Sequence, residues 1–529
     1  MSDPNVVIFA RTNLKVVATT VLLLALSACH LATVRLKPDT TVVTKPDTTA
    51  PKKPAAVATG SSATKSLDAL RRDIDATLAQ PLLAHGSWGV LAKSLKTDET
   101  LYALNAGKLM MPASNMKIVT LAAAAETLGW DYRYETHVVA AGSVAGGTLQ
   151  GDLVVVGSGD PSLVAADGMA DRVFADWAER LKQRGIRAIS GRVIGDDNGF
   201  EKETLGFGWS WDDLADDYAA GVGALQFNEN AVRVTVTPGP SAGDSAGISI
   251  APAGSGLTIV SVVTTSAAGV PASISTRRLP GSMTLELRGS IPLGAVPSTL
   301  TVSVDNPTRF FVGALRTALI ANGIDVRGPA VDIDDVRDAP AATRGTPIVS
   351  YQSAPLSALA VRLMKMSQNQ YAETFLKTIA AGPGVVPTAP AGRRATQTIL
   401  ERWGVPAAAL IQRDGSGLSR YDYVTPEALV TILTHVDRDP RLHGPFEAAL
   451  PIAGRDGTLS NRMKDTPAEG NARAKTGSMA NVRGLSGYVT SADGEPLVFS
   501  ILANGFDTPA DTITKTADAI VVRLAQFRR

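Results

Sequence analysis

The two ends of the chain share an alternation of helical and strand-like segments that the long middle lacks, and this contrast constrains the fold most. The spacing of apolar residues predicts helices at residues 66–80, 112–128 and 512–527, and strands at 87–95, 100–105, 472–478, 482–490 and 497–504. Helices and strands must bury their apolar faces against one another to form a core. We therefore expect the two ends to form one α/β (α+β) domain, a sheet with helices packed on it.

The middle of the chain, from about residue 135 to 340, is dominated by short β-branched runs separated by Gly, Pro and Ser turns. The runs lie at residues 153–156, 232–236, 257–263, 283–287 and 300–304. This pattern predicts one or two β-rich modules inserted into the domain that the ends form. The predicted boundaries are 136–344 for the insertion, and 66–135 plus 345–529 for the domain that it interrupts.

The N-terminus has the layout of an export signal. Arg11 and Lys15 precede an apolar run from Val16 to Leu26, which is too short to span a bilayer comfortably as a stable helix. The run ends in Leu-Ser-Ala-Cys, which resembles a bacterial lipoprotein lipobox, and Cys29 is the only cysteine of the chain. We predict a signal peptide at 1–28 and lipidation of Cys29. A plain cleavable signal and an N-terminal anchor are the alternatives.

The segment that follows, residues 29–65, is rich in Pro, Thr and Ala, and the unit Lys-Pro-Asp-Thr-Thr occurs at 37–41 and again at 45–49. Such a segment cannot bury enough apolar surface to offset the entropy lost on ordering, so we expect an extended tether after the lipid anchor. An anchor and a tether would hold the folded part outside the cytoplasm, in the periplasm or cell envelope, at a membrane. The substrate should then be extracytoplasmic.

Charge and metal-ligand content exclude several classes of function. Lys and Arg total 51 and Asp and Glu total 50 in the 529 residues, a balance that gives no electrostatic footprint for nucleic acid. One cysteine and five histidines, without an H-E-x-x-H spacing, argue against a multi-cysteine metal site or a zinc hydrolase. We expect no metal, no cofactor and no nucleic-acid partner.

The first candidate for chemistry is the S-x-x-K pattern at Ser114–Lys117. A hydroxyl and an amine three residues apart lie on one face of a helix. Because Pro112 opens the predicted helix, Ser114 falls in its first turn, where the helix dipole favours developing negative charge. A lysine kept neutral can activate such a serine. The pattern alone is weak, since the tether repeats it at 62–65.

Two further motifs strengthen the interpretation of the S-x-x-K pattern as a catalytic site. Ser367–Asn369 is the only S-x-N of the chain, and Lys475–Gly477 is its only K-T-G. The order S-x-x-K, S-x-N, K-T-G is that of penicillin-binding proteins and serine β-lactamases. A G-x-S-x-G pattern at 243–247 is the competing serine site, but Pro238 and Pro240 precede it where a strand would be needed, so we interpret it as a solvated loop.

The spacing of these motifs, with a long β-rich insertion after the serine helix, resembles the class C low-molecular-mass penicillin-binding proteins. These are the type-4 D-alanyl-D-alanine carboxypeptidase/endopeptidases. Further matching stretches lie at residues 151–153, 157–161, 414–420, 450–454 and 456–459. The resemblance extends from about residue 66 to the C-terminus and implies a transpeptidase-like domain with a central antiparallel sheet flanked by helices. It implies peptidoglycan peptides as substrates and β-lactams as acylating inhibitors.

The resemblance also implies roles for the motif residues. Ser114 would attack the carbonyl of a D-Ala-D-Ala amide, and Lys117 would accept its proton. Ser367 would relay a proton to the leaving amine, while Asn369 would orient Lys117 and the substrate. Lys475 would help to keep Lys117 deprotonated, because a nearby positive charge disfavours protonation.

The K-T-G strand is implied to bind the substrate backbone. Thr476 would hydrogen-bond the substrate carboxylate, and Gly477 would line the same edge. The backbone N–H groups of Ser114 and Ser478 would form the oxyanion hole, which usually supplies a large share of acyl-transfer catalysis.

A side-chain pocket for the zwitterionic end of diaminopimelate is implied at Asp196, Arg420 and Met479. A carboxylate suits the ammonium, a guanidinium the carboxylate and a thioether the methylenes. Asp197 could exchange roles with Asp196. The alternative is that Asp196 caps a turn and Arg420 is a surface or structural ion-pair residue.

Two other functions stay open. A serine β-lactamase would need an efficient deacylating base, for which no diagnostic element is found. A catalytically silent wall-binding lipoprotein would have no need for all three motifs.

Overall fold

The structure of the chain, a computed structural model, describes residues 67–165, 168–338, 340, 346–382 and 384–529. Several predictions lie outside these residues: the signal peptide at 1–28, the lipidation of Cys29, the tether at 29–65, the helix start at Ser66 and the predicted boundary at 345.

Within the described ranges the chain forms ten α-helices and twenty strands. The helices are α1 Leu67–Leu78, α2 Met116–Leu128, α3 Met169–Gln183, α4 Pro307–Ala321, α5 Leu356–Lys365, α6 Asn369–Thr378, α7 Ala389–Arg402, α8 Pro426–Arg438, α9 His443–Ala449 and α10 Ala510–Ala525. The strands are β1 Ser87–Ser94, β2 Thr100–Leu104, β3 Glu135–Ala145, β4 Thr148–Gly157, β5 Ala188–Ile189, β6 Val193–Asp196, β7 Ala231–Thr237, β8 Gly247–Ala251, β9 Thr258–Ser266, β10 Ser273–Arg277, β11 Thr284–Pro292, β12 Ser298–Ser303, β13 Asp325–Val326, β14 Ala330–Asp332, β15 Val349–Gln352, β16 Leu410–Ile411, β17 Tyr423–Val424, β18 Arg473–Met479, β19 Val482–Thr490 and β20 Pro496–Asn504.

The two ends of the described chain meet in one antiparallel sheet, with the strand order β18-β19-β20-β1-β2. Strand β1 pairs with β20 along its whole length, from Ser87 opposite Asn504 to Ser94 opposite Leu497. Successive strand side chains point to opposite faces, so an apolar strand can serve two cores. In β20, Phe499 packs with α1 and α10 on one face, whereas Val498 packs with α2 and α8 on the other.

Helix α2 is the central helix of the second core. Its sequence is apolar on all sides and rich in alanine, which allows the neighbouring helices α5, α6 and α8 to approach closely. Gly129 ends the helix with a positive φ of 76°, a conformation that glycine adopts without steric cost. Among the buried residues of α2, Lys117 and Thr120 carry polar side chains, so α2 brings polar groups into an apolar core.

The middle of the chain builds three further sheets around a separate apolar core. The largest has the order β13-β5-β4-β3-β15 with β6 and β14 attached, and the others are β12-β7-β8 and β10-β11-β9. The predicted insertion ended at residue 344, yet β15 pairs with β3, from Val349 opposite Val138 to Gln352 opposite Glu135. A four-residue strand carries too little periodicity to be found from sequence.

Candidate active site

Ser114 lies in a 3-10 turn, Ala113–Asn115, that leads directly into α2. The sequence predicted one helix from Pro112, but Ala113 has a φ of 46°, in the left-handed region that residues with a Cβ rarely adopt. Strain of this kind persists only where the surroundings enforce it, and it is common at functional sites. The turn brings Ser114 Oγ to 2.9 Å from Lys117 Nζ in the first turn of α2.

Lys117 is fully buried and has three polar neighbours. Its Nζ lies 2.9 Å from Ser114 Oγ, 2.6 Å from Asn369 Oδ1 and 2.8 Å from the Ser416 carbonyl oxygen. A neutral amine fits this arrangement, because its two N–H groups donate to Asn369 and Ser416 and its lone pair accepts the Ser114 hydroxyl.

Burial lowers the pKa of Lys117 to about 7, against the opposing effect of the buried carboxyls Asp414, Glu373 and Asp422. A lysine with an unperturbed pKa of about 10.4 is almost wholly protonated at neutral pH, whereas this one has a substantial neutral fraction. Burial, rather than the charge of Lys475, is the main cause.

Ser367 and Asn369 occupy the turn that begins α6. Ser367 adopts a φ of 60°, and α6 starts at Asn369. The two side chains contact different lysines. Ser367 Oγ accepts a hydrogen bond from Lys475 at 2.8 Å. Asn369 contacts Lys117 through Oδ1, while its Nδ2 donates to the Tyr218 carbonyl at 2.7 Å, which fixes the orientation of the amide.

Lys475 is buried in β18, beside Ser367. It also donates to the Thr476 carbonyl at 2.9 Å. Burial holds the pKa of Lys475 well below its usual value, and the nearby Lys117 lowers it further. The S-x-N and K-T-G motifs are therefore in direct contact, as are S-x-N and S-x-x-K.

Glycine is required where β18 passes the serine turn. A Cβ at Gly477 would lie 2.5 Å from the Pro112 carbonyl oxygen and 2.7 Å from Asn115 Nδ2. The next residue, Ser478, is exposed and pairs with Arg483 of β19. Thr476 hydrogen-bonds Thr458 at 2.8 Å between hydroxyl oxygens. The sequence analysis gave Thr458 no role, although it lies in one of the matching stretches.

The loop 414–420 also packs against the serine turn and contacts Lys117. Gly417 has a φ of 83°, and a Cβ there would lie 1.8 Å from the Ala113 carbonyl oxygen, so this loop packs directly on the serine turn. The loop supplies the Ser416 carbonyl to Lys117. Sequence reasoning matched the stretch but missed this contact, because a backbone acceptor leaves no trace in residue identity.

The insertion also reaches the site through the segment 207–218. Trp209 Nε1 donates to Asp414 at 2.9 Å, and the Tyr218 carbonyl accepts from Asn369. The rings of Phe207 and Tyr421 lie 5.8 Å apart. Sequence reasoning missed this segment, since its contacts depend on how the insertion folds back.

The three residues predicted for the side-chain pocket lie in different settings. Asp196 is buried at the end of β6 and accepts hydrogen bonds from the backbone N–H of Asn198 at 3.2 Å and its Nδ2 at 2.8 Å, contacts typical of a turn cap. Arg420 is exposed. Burial raises the pKa of Asp213, and the charge of Arg420 opposes that shift. Met479 is half-buried at the end of β18. Among the contacts of the described residues, none joins Asp196 to Arg420 or Met479.

Among all the residues that the structure describes, no cluster of three or more His, Cys, Asp or Glu side chains has an arrangement that could hold a metal ion. Nor does any described helix combine the length and apolar character needed to cross a membrane.

Comparison with known families identifies the family to which the chain belongs. The D-Ala-D-Ala carboxypeptidase 3 (S13) family matches residues 70–527. The chain belongs to this family. The D-alanyl-D-alanine carboxypeptidase of Actinomadura sp. (strain R39) is 36% identical over 487 residues, covering 89% of this chain and 87% of that protein. The D-alanyl-D-alanine carboxypeptidase DacB of Haemophilus influenzae is 28% identical over 457 residues, covering 85% of this chain and 91% of that protein.

Solved structures agree. The crystal structure of penicillin binding protein 4 (dacB) from Haemophilus influenzae matches this S13 chain with a TM-score of 0.74 and 27% identity, covering 85% of this chain and 97% of that one. The same protein has been solved in complex with a β-lactam, and that structure matches with a TM-score of 0.67. The predicted family, the mixed α/β fold and the predicted enzyme class, a serine-type D-Ala-D-Ala carboxypeptidase, are confirmed.

Proposed function

We propose that this S13 enzyme hydrolyses D-Ala-D-Ala amides of peptidoglycan stem peptides or cross-links through an acyl-enzyme on Ser114. The observation that carries the proposal is the fully buried Lys117 amine, which lies within hydrogen-bond distance of Ser114 Oγ, Asn369 Oδ1 and the Ser416 carbonyl. Its two N–H groups have acceptors, so its lone pair is directed to the serine hydroxyl.

In acylation, Ser114 Oγ bonds to the substrate carbonyl carbon while its proton passes to Lys117. The carbonyl oxygen becomes an oxyanion, which the backbone N–H groups of Ser114 and Ser478 stabilise. The C–N bond then breaks as the proton that Lys117 accepted is passed to the leaving amine through Ser367, whose hydroxyl contacts Lys475, so Lys117 is neutral again. The products of this step are the Ser114 ester and free D-alanine or the released peptide.

In deacylation, water attacks the carbonyl carbon of the Ser114 ester and gives up a proton to Lys117. Lys117 returns this proton to Ser114 Oγ as the Oγ–C bond breaks, and the shortened peptide leaves with a free carboxyl group. A β-lactam differs in one respect. Its amine stays tethered to the acyl group after the ring opens, so it remains near the ester and persists in the site. Slow, stable acylation by penicillins is therefore expected of this enzyme.

The carboxylate of the substrate is proposed to bind Thr476 and the backbone at Gly477. Thr476 is buried at 7% exposure and its hydroxyl already contacts Thr458, which supports a pair of hydroxyls facing the same carboxylate. Arg420 and Met479 remain proposed for the substrate's side-chain end, together with Asp196, whose contacts with Asn198 favour the alternative of a turn cap.

The cellular setting is proposed from the sequence. A signal peptide at 1–28, a lipid on Cys29 and a tether at 29–65 would hold the enzyme at a membrane outside the cytoplasm, where its substrate lies. The catalytic domain is proposed as 66–135 plus 345–529. The insertion at 136–344 is proposed to help form the pocket for the substrate's side-chain end. Cys29→Ser should release the protein from the membrane fraction without unfolding it; a variant still bound after detergent-free washing contradicts the lipid anchor.

Digestion of purified peptidoglycan by the soluble fragment from about residue 66 onward tests the proposed reaction. Mass analysis should reveal loss of terminal D-alanine or of cross-links. Nitrocefin turnover far above one equivalent would instead favour the β-lactamase. Absence of labelling by a fluorescent penicillin would favour a silent wall-binding protein.

A further inference from the structure

Glu373 is a buried carboxylate, at 4% exposure, that the steps above do not use. It lies on α6, four residues after Asn369, so the two side chains share one face of the helix. Its two oxygens accept the Gly415 N–H at 3.0 and 2.9 Å, and one of them accepts the Ser416 N–H at 2.8 Å. Glu373 therefore holds the backbone of the loop that carries the Ser416 carbonyl.

This arrangement gives α6 control of both acceptors of the Lys117 amine. Asn369 contacts Nζ directly, while Glu373 holds the two peptide units that precede the Ser416 carbonyl, through the N–H groups of Gly415 and Ser416. Asp414 holds the next part of the loop separately, through the N–H groups of Gly417 and Ser419, each at 2.7 Å. The Gly417 N–H shares a peptide unit with the Ser416 carbonyl, so Asp414 holds that unit itself, while Glu373 links the preceding part of the loop to α6.

We propose that Glu373 is a positioning residue that orients the general base Lys117 through the Ser416 carbonyl. The inference rests on the proposed role of Lys117. It extends beyond the three motifs, because it makes a fourth side chain responsible for keeping the amine lone pair directed at Ser114. A carboxylate suits this role, since its two oxygens can accept both backbone N–H groups at once.

The charged groups around Glu373 determine how its removal would change the pKa of Lys117. Five charged groups interact electrostatically with Glu373: Asp414, Asp422, Lys117, Lys377 and Arg393. Burial and the charge of Asp414 raise the pKa of Glu373 to about 7. Its negative charge in turn raises the pKa of Lys117. Removing that charge should lower the pKa of Lys117, so the neutral amine would persist to lower pH.

The test is the rate of acylation by a fluorescent penicillin as a function of pH, for wild type, Glu373→Gln and Glu373→Asp. Glutamine keeps the shape but replaces one acceptor with a donor, so we expect a plateau rate about ten- to hundredfold lower, within the share that general-base catalysis supplies. The midpoint of the acid limb should move to lower pH, by less than the full effect of one charge, because Glu373 is itself partly protonated near pH 7. Aspartate keeps the charge with a shorter reach, so its midpoint should stay near that of wild type while the plateau falls.

Asp160→Asn is the matched control. Asp160 is another buried carboxyl that accepts hydrogen bonds from a backbone N–H and a hydroxyl, both of Ser162, but it has no contact with Lys117. We expect it to lower the melting temperature with plateau and midpoint unchanged. The inference is overturned if Glu373→Gln keeps the wild-type plateau and midpoint, if Asp160→Asn changes them equally, or if both Glu373 variants fail to fold. Wild type that penicillin does not label would instead refute the proposed function.

Discussion

The catalytic centre and the predicted side-chain pocket are two regions identified from the same sequence, but they differ in how their residues connect. At the centre, Lys117 contacts both Ser114 and Asn369 directly, although 252 residues separate Lys117 from Asn369. In the insertion, Asp196 hydrogen-bonds a residue two positions away. Long-range contacts between motif residues are strong support for a shared function, whereas a local turn contact has a structural explanation of its own.

The largest effect should come from removing the centre's hydroxyl. Ser114→Ala should abolish labelling by a fluorescent penicillin, because among the described residues Ser114 supplies the hydroxyl that lies within hydrogen-bond distance of Lys117. Ser245→Ala, in the exposed G-x-S-x-G loop, is the control and should label as wild type does. Labelling that survives in Ser114→Ala would remove the basis for the catalytic centre.

The second effect concerns the base. With a Lys117 pKa of about 7, lowering the pH protonates the amine, and acylation should decline about tenfold per pH unit below a midpoint near 7. Stopped-flow acylation rates between pH 5 and 9 measure this, with melting temperatures at each pH as the control for unfolding. A midpoint above pH 9 would mean that burial does not set the state of Lys117.

A smaller effect should follow from the hydroxyl pair on the K-T-G side. Thr458→Val keeps the shape of the side chain but removes the partner of Thr476, a neutral hydrogen bond worth about 1 kcal/mol, or three- to tenfold in kcat/KM. The readout is D-alanine release from a D-Ala-D-Ala peptide. Thr77→Val, on the surface of α1, is the matched control. Equal values for both variants would leave Thr458 without a part in binding.

The smallest effect separates the two interpretations of Asp196. If it binds the substrate's ammonium, Asp196→Ala slows cleavage of peptides with a free zwitterionic end by a few fold and spares acylation by simple penicillins. Asn198→Ala removes the side-chain turn contact but keeps the backbone contact and the carboxylate, so it should lower stability without this selectivity. Equal losses on both substrates in Asp196→Ala would assign it to the turn alone.

The sequence predicted regular elements well where apolar periodicity was long. Strand β19 coincides with the predicted 482–490, and α10 lies within two residues of its predicted ends. It could not predict the 3-10 turn at Ser114, since the positive φ of Ala113 is imposed by packing against Gly417 and Gly477. Local propensity contains no information about such tertiary contacts.

At the site, side-chain partners were predictable and backbone partners were not. The three motifs named the lysines, the serines and Asn369 because their chemistry requires those residue types. The carbonyls of Ser416 and Tyr218, which accept from Lys117 and Asn369, could belong to any residue. Their positions follow from loop geometry, which in turn depends on Glu373 and on the fold of the insertion.

The pairing of β1 with β20 has a consequence for the order of events during synthesis. Ser87 of β1 pairs with Asn504 of β20, so β1 has no central partner until residue 504 has been made. Contacts of such long sequence separation form slowly, because the loop entropy is lost before the contact is gained. A nascent or truncated chain that stops before residue 473 would therefore hold Ser114 without the K-T-G strand β18, and we expect it to lack hydrolytic activity.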